Sequence, residues 1–169
     1  ISASRSLTHC KAIVYRTLKS LPQEHVSEIK HLTLRMSDSG NRGLGGGHSV
    51  IIRCGNVSDS ELVAVMTHEV GHIVDIGLMN GDFFSGKSEF SDGSIPIYND
   101  DLSLSFYRIS WKNSSEMSEG ASSADFVTGY AMTDPFEDFA ESYIMYTLHG
   151  TEFRMMARWN DSLQAKYDY

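Results

Sequence analysis

The sequence predicts an α+β fold: a single domain over residues 1–169 with a small mixed sheet, a central helix and a C-terminal helical part. Residues 7–21 space Leu7, Cys10, Ile13, Val14, Leu18 and Leu21 three or four apart, the stripe of an amphipathic helix that stops before Pro22. "HLTLRMS" (31–37) alternates Leu32, Leu34 and Met36 with polar neighbours, and "HSVIIRC" (48–54) is β-branched at its centre, so both read as strands. Longer runs with helical periodicity follow at 58–77 and 134–150.

Taken in order, "DSGNRGLGGG" between the two strands reads as a flexible connection. Ser58 can cap the next helix, with Glu61 three residues later in a capping-box arrangement. That helix runs through Leu62, Val65, Met66, Val70, Ile73 and Val74 to Gly77; apolar on most sides, it should be central and buried. Residues 79–101, rich in Gly, Ser, Asp and Asn, read as a long irregular loop. "DLSLSFYRISW" (101–111) reads as helical, with Asp100 or Asp101 near its start, and 113–124 as a second loop. "TDPFEDFAESYIMYTLHG" has Asp134 as cap, Pro135 in the first turn and Gly150 past the end. A last helix is expected at 152–167.

A chain of this length with 41% hydrophobic residues can bury a core of its own. A net charge of −8 without any block of Lys or Arg disfavours nucleic acid and anionic membranes as partners. No apolar run approaches the roughly 20 residues that span a bilayer, so membrane insertion is not expected. The opening on Ile1 reads as a processed or trimmed chain. Cys10 and Cys54 fit either a disulfide or two buried thiols. Asn56, Asn113 and Asn160 each begin an Asn-x-Ser triplet, a pattern that arises by chance in Ser-rich sequence.

The segment with chemistry in it is "HEVGH", 68–72. On a helix, positions i and i+4 lie one above the other, so His68 and His72 can aim their imidazoles at one point and form half of a tetrahedral zinc site. Glu69 sits about 100° round the helix, beside such a metal and not on it, where a general base for an activated water belongs. The competing explanation is a pair of core histidines bonded to carbonyls. A catalytic zinc takes three protein ligands, and the candidates for the third are Glu137, Glu141, Asp75, Cys54 and His48. Asp75, three residues after His72, is better placed to orient an imidazole than to reach the metal. Glu137 and Glu141 share a face of an otherwise apolar helix, although Glu137 at N3 also suits a capping box with Asp134.

"HEVGHIVD", followed about 60 residues later by "GYAMTDPFEDFAESY", resembles the lethal-factor-like zinc metallopeptidases, the group that holds the catalytic domain of anthrax lethal factor and the clostridial Pro-Pro endopeptidases. "GLGGGHSVIIR" is similar to the Gly-rich lead-in and edge strand that precede the HExxH helix there, so the likeness touches 43–145 in three blocks. The resemblance implies a zincin-like domain of gluzincin type and one Zn2+ per chain, held by His68, His72 and Glu137. It implies Glu69 as general base, Tyr130 as donor to the developing oxyanion, and Glu141 as a carboxylate that supports a ligand, beside the Asp75 that spacing suggests. Glu141 stands where thermolysin-like gluzincins carry Asp, a longer arm at that place. The expected substrate is a peptide or protein, added as a strand along 49–53 and touching Gly46, Gly47, His48, Ser49, Val50 and Ile51.

The resemblance further implies a secreted bacterial enzyme that acts as a monomer, in the manner of a toxin or virulence factor. Rival readings are a deformylase-like hydrolase with Cys54 as third ligand, and a non-catalytic binding domain on the same fold. A metzincin is disfavoured, because Leu78 occupies the place of its third ligand. A phosphate loop is disfavoured too, because 43–47 lacks the Lys-Ser/Thr.

Overall fold

A computed structural model describes residues 6–169. The fold is α+β, with small sheets and six α-helices among the described residues. The chain divides into two compact units, one ending at Leu78 and one beginning at Met79.

The first unit opens with α1 (Leu7–Ser20), capped by Ser6, whose hydroxyl accepts from the His9 amide at 3.1 Å. It buries Cys10, Ile13 and Val14, the stripe that the periodicity marks. The short α2 (Gln23–Ser27) leads into β1 (His31–Arg35), β2 (Gly43–Gly46) and β3 (Ser49–Arg53). These form a mixed sheet in the order β1-β3-β2: β3 runs parallel to β1, with His31 opposite Ser49, and antiparallel to β2, with Gly46 opposite Ser49. The stretch expected to be a flexible connection therefore supplies a strand. The reversal into β3 uses Gly47 at φ 56°, a left-handed conformation that costs glycine little.

Helix α3 (Asp59–His72) begins as expected, with the Ser58 hydroxyl accepting from the Glu61 amide at 3.1 Å. The Glu61 carboxylate pairs with Arg42 at 2.9 Å. Beyond His72 the chain stays helical but widens into a π-helix, Ile73–Leu78, so HEVGH closes the α-helical part and is followed by looser turns. Cys10 is disulfide-bonded to Cys54, tying α1 to the residue after β3 with Cα atoms 5.9 Å apart. Closing a loop with a sequence separation of 44 restricts the unfolded chain by about 4 kcal/mol in the chain-entropy picture.

In the second unit the region expected to be a long loop holds a hairpin, β4 (Lys87–Asp92) and β5 (Ile95–Tyr98), turned at Gly93 with φ 56°. Its approach is held by acidic side chains. Asp100 accepts from the Asp82 amide at 2.8 Å and the Ser85 hydroxyl at 2.6 Å, and Asp101 accepts from the Gly81 amide at 3.1 Å. β4 is mostly polar, and β5 is only four residues long and includes Pro96, so alternation does not reveal them. Helix α4 (Leu104–Ser110) follows, with the Ser103 amide donating to Asp101 at 2.9 Å. A second small hairpin, β6 (Trp111–Asn113) with β7 (Glu116–Met117), occupies the start of the other expected loop.

Helix α5 (Pro135–Ala157) starts as expected, Asp134 accepting from the amides of Phe136 at 3.0 Å and Glu137 at 2.8 Å. It does not end at Gly150. The chain kinks at His149 and continues, because Phe153 and Ala157 are buried with Leu163 of α6 (Asp161–Asp168) and pack with Met145 and Tyr167. The helix expected at 152–167 is therefore two pieces, the second capped by Asn160, which accepts from the Leu163 amide at 2.8 Å.

One ion pair sits inside this unit. Lys166 Nζ of α6 donates to Asp138 of α5 at 2.7 Å and to the Asp125 carbonyl at 2.8 Å; both charged side chains are 0% exposed. Trp111 Nε1 donates to the same Asp138 oxygen at 3.0 Å, and the ammonium lies 4.1 Å from the centre of the Phe126 ring. Burial pushes the Asp138 carboxyl up to about 6, against the pull of Lys166 and Trp111. Removing one partner strands the other charge in the interior. Lys166→Met is therefore expected to lower stability by about 3–5 kcal/mol, read from urea unfolding. The double variant Lys166→Met/Asp138→Leu should recover most of that loss, and an equal loss in both variants would contradict the pairing.

Candidate metal centre

Helix α3 carries the two histidines at the end of its regular part, where one turn separates them. Their Nε2 atoms lie 3.1 Å apart, with the ring planes at 82°. Two nitrogens each about 2.05 Å from a tetrahedral ion stand about 3.3 Å apart, so the pair has close to the bite that zinc asks of it. Both histidines are half-buried.

Glu69 is 4% exposed, and its surroundings explain why the run before β3 is so rich in glycine. A Cβ on Gly43 would overlap the Glu69 carboxylate, coming within 2.6 Å of Cδ, and one on Gly45 would lie 2.6 Å from Oε2 and 3.2 Å from the Glu69 carbonyl oxygen. Residues two apart on a strand share a face, so Gly43 and Gly45 form a bare backbone floor for this side chain. Local sequence signals suggest only a connection here. The usable signal is the two-residue spacing of the glycines just ahead of an HExxH helix.

Asp75 is 1% exposed and lies in the π-helical turn, where the 3.6-residue spacing from His72 no longer holds. His48 is drawn to α2 and its end: Nδ1 lies 3.0 Å from the Glu28 carbonyl oxygen and 3.5 Å from its carboxylate. Of the residues expected to touch substrate, Gly46, Gly47, His48 and Ser49 are exposed and Ile51 is half-buried, but Val50 is 1% exposed and belongs to the core. The expectation of strand addition along 49–53 is corrected. β3 is the middle strand, paired on both sides, and the outer strands of the sheet are β1 and β2. Cys54 is also corrected as a candidate ligand, because its sulfur is bonded to Cys10 and offers no thiolate.

In the second unit, Glu137 stands in the first turn of α5 and is half-buried. Its Oε1 accepts from the Tyr130 hydroxyl at 3.2 Å. Tyr130 opens a 3-10 turn (Tyr130–Met132) and is 55% exposed. Partial desolvation of its hydroxyl end, with the negative charge of Glu137 beside it, pushes the phenol up to about 12. The phenol is a neutral hydrogen-bond donor at physiological pH, as an unshifted tyrosine also is. Glu141 Oε2 accepts from Thr128 Oγ1 at 2.6 Å, a partner that residue typing does not suggest.

No protein-family model, curated protein or solved structure matches the chain.

The glycine floor is open to a direct check. Gly45→Ala should cost about 1–3 kcal/mol, because the new Cβ meets both the side chain and the backbone of Glu69. Gly46→Ala, where nothing lies within 4 Å, should stay within about 0.5 kcal/mol of the parent. Equal unfolding midpoints for the two variants would contradict the close approach of β2 to α3.

Proposed function

We propose that the chain is a zinc-dependent metalloendopeptidase, a gluzincin built on one zincin-like domain. The observation that carries this reading is the convergence of two imidazole nitrogens at 3.1 Å beside a buried glutamate. Glu69 follows His68 directly in the HExxH spacing and is the residue that a general base would be.

In this reading His68, His72 and Glu137 hold the ion, which requires the imidazole pair and the α5 carboxylate to reach one point. Two imidazoles and a carboxylate would be a donor set suited to catalytic zinc. Bound zinc supplies Lewis-acid chemistry that brings the acidity of water from about 16 to near 7. Glu69 takes the proton from the attacking water and returns it to the leaving amine. The Tyr130 hydroxyl, already aimed at Glu137, donates to the carbonyl oxygen as charge develops there, a contribution of about 3–4 kcal/mol. In the same reading Asp75 and Glu141 are the carboxylates that support the ligand set.

The substrate is a peptide or protein segment, and an acidic chain of this kind acts on it without nucleic acid. The Cys10–Cys54 disulfide supports a secreted protein, since such bonds persist in oxidising compartments. The likeness of "HEVGH" and "GYAMTDPFEDFAES" to lethal-factor-like metallopeptidases points the same way.

The test is zinc content by mass spectrometry, before and after zinc back-titration, together with cleavage of a peptide library. Wild type should hold about one zinc per chain, lost in both His72→Ala and Glu137→Ala. Glu69→Gln should keep the zinc and lose cleavage by a factor of about 100 to 10,000. Zinc retained by Glu137→Ala would remove that residue from the ligand set, and no zinc in wild type after titration would reject the reading.

A further inference from the structure

The 3-10 turn that carries Tyr130 has no side-chain cap at Gly129, so its place depends on what grips it from outside. Thr128 supplies one such grip, beside the Tyr130 hydroxyl on Glu137 and the Thr133 hydroxyl on the Tyr130 carbonyl. The amide of Ala131, a fully buried residue, donates to Thr128 Oγ1 at 3.1 Å, and the same hydroxyl donates to Glu141 Oε2 at 2.6 Å. A single oxygen thus accepts from the turn and donates to the helix, which a hydroxyl side chain can do and an apolar one cannot.

Glu141 lies one helical turn beyond Glu137, and Tyr130 lies two residues beyond Thr128. The turn and the helix are therefore joined by two rungs, Tyr130 to Glu137 and Thr128 to Glu141. The Tyr130 rung is 3.2 Å long and mostly exposed; the Thr128 rung is 2.6 Å and partly buried, the length of a charge-assisted hydroxyl–carboxylate bond. The shorter rung is the one that keeps the turn in place when the Tyr130 hydroxyl leaves Glu137 to meet a substrate.

We infer that Thr128, fixed by Glu141, is the positioning residue for Tyr130. The linkage stands on its own geometry; its catalytic consequence rests on the metallopeptidase reading above. It also accounts for glutamate at position 141, since a carboxylate there reaches the hydroxyl that holds the turn.

The experiment compares Thr128→Val, which keeps the shape and removes the hydroxyl, with Thr128→Ser, which keeps the hydroxyl. Readouts are hydrogen exchange at the Ala131 amide, the fluorine resonance of 3-fluorotyrosine placed at position 130, zinc content, and kcat and KM on a cleaved peptide. Thr128→Val should speed Ala131 exchange and lower kcat by about tenfold each. It should also broaden or shift the fluorine resonance, while KM and zinc content stay at the parent values. Thr128→Ser should restore all of them. A fluorine resonance unchanged in Thr128→Val overturns the inference, as does unchanged kcat alongside faster Ala131 exchange. Absence of any peptide cleavage by wild type counts against the metallopeptidase reading instead, and the exchange and fluorine readouts then decide the Thr128 link without it.

Discussion

Helix α3 can lie against β2 only because Gly43 and Gly45 present no side chain to Glu69. Much of the first unit follows from that close approach. A strand of glycine has little preference for being a strand, since it forgoes side-chain packing and loses more entropy on ordering than any other residue. It is held here by pairing with β3, whose Val50 and Ile52 are core residues, and by the tight reversal at Gly47. The sheet thus gives up intrinsic strand stability at β2 in return for room around one carboxylate. The disulfide from α1 to the end of β3 adds a covalent restraint to the same small unit.

The second unit is organised by a different device, the buried pair of Asp138 and Lys166. Such pairs give little net stability over an apolar replacement, but losing either partner leaves an uncompensated charge in the interior. Asp138 fixes the rotation of the first turns of α5, while Trp111 and the Asp125 carbonyl draw the intervening segments onto the same point. Within those first turns the helix divides its work by face. Phe136, Asp138 and Phe139 are buried, while Glu137 and Glu141 are half-exposed and bind Tyr130 and Thr128.

This division connects packing with chemistry. A carboxylate such as Glu137 keeps its place only if its helix does not roll, and the buried ion pair on the adjacent Asp138 ties that part of α5 to α6. The aromatic contacts around Phe106, Phe139 and Tyr169, with ring centres 5.1 to 6.2 Å apart, supply bulk stability without setting rotation in that way.

By itself the sequence determined the starts of α1, α3 and α5. Ser58, Asp134 and Pro135 act through neighbours within three residues, and the stripe of Cys10, Ile13 and Val14 needs only helical periodicity. The HEVGH spacing likewise brings His68 and His72 together by helix geometry alone. Tertiary structure decided what local signals leave degenerate. It made β3 the middle strand instead of an edge, because strand order depends on partners distant in sequence. It kept α5 helical past Gly150, because burying Phe153 and Ala157 outweighs the weak helix preference of one glycine. It chose the disulfide for Cys10 and Cys54, gave Glu69 its glycine floor, and set Thr128 on Glu141. Each of these joins residues that no period links, so each is settled only when the chain has closed on itself.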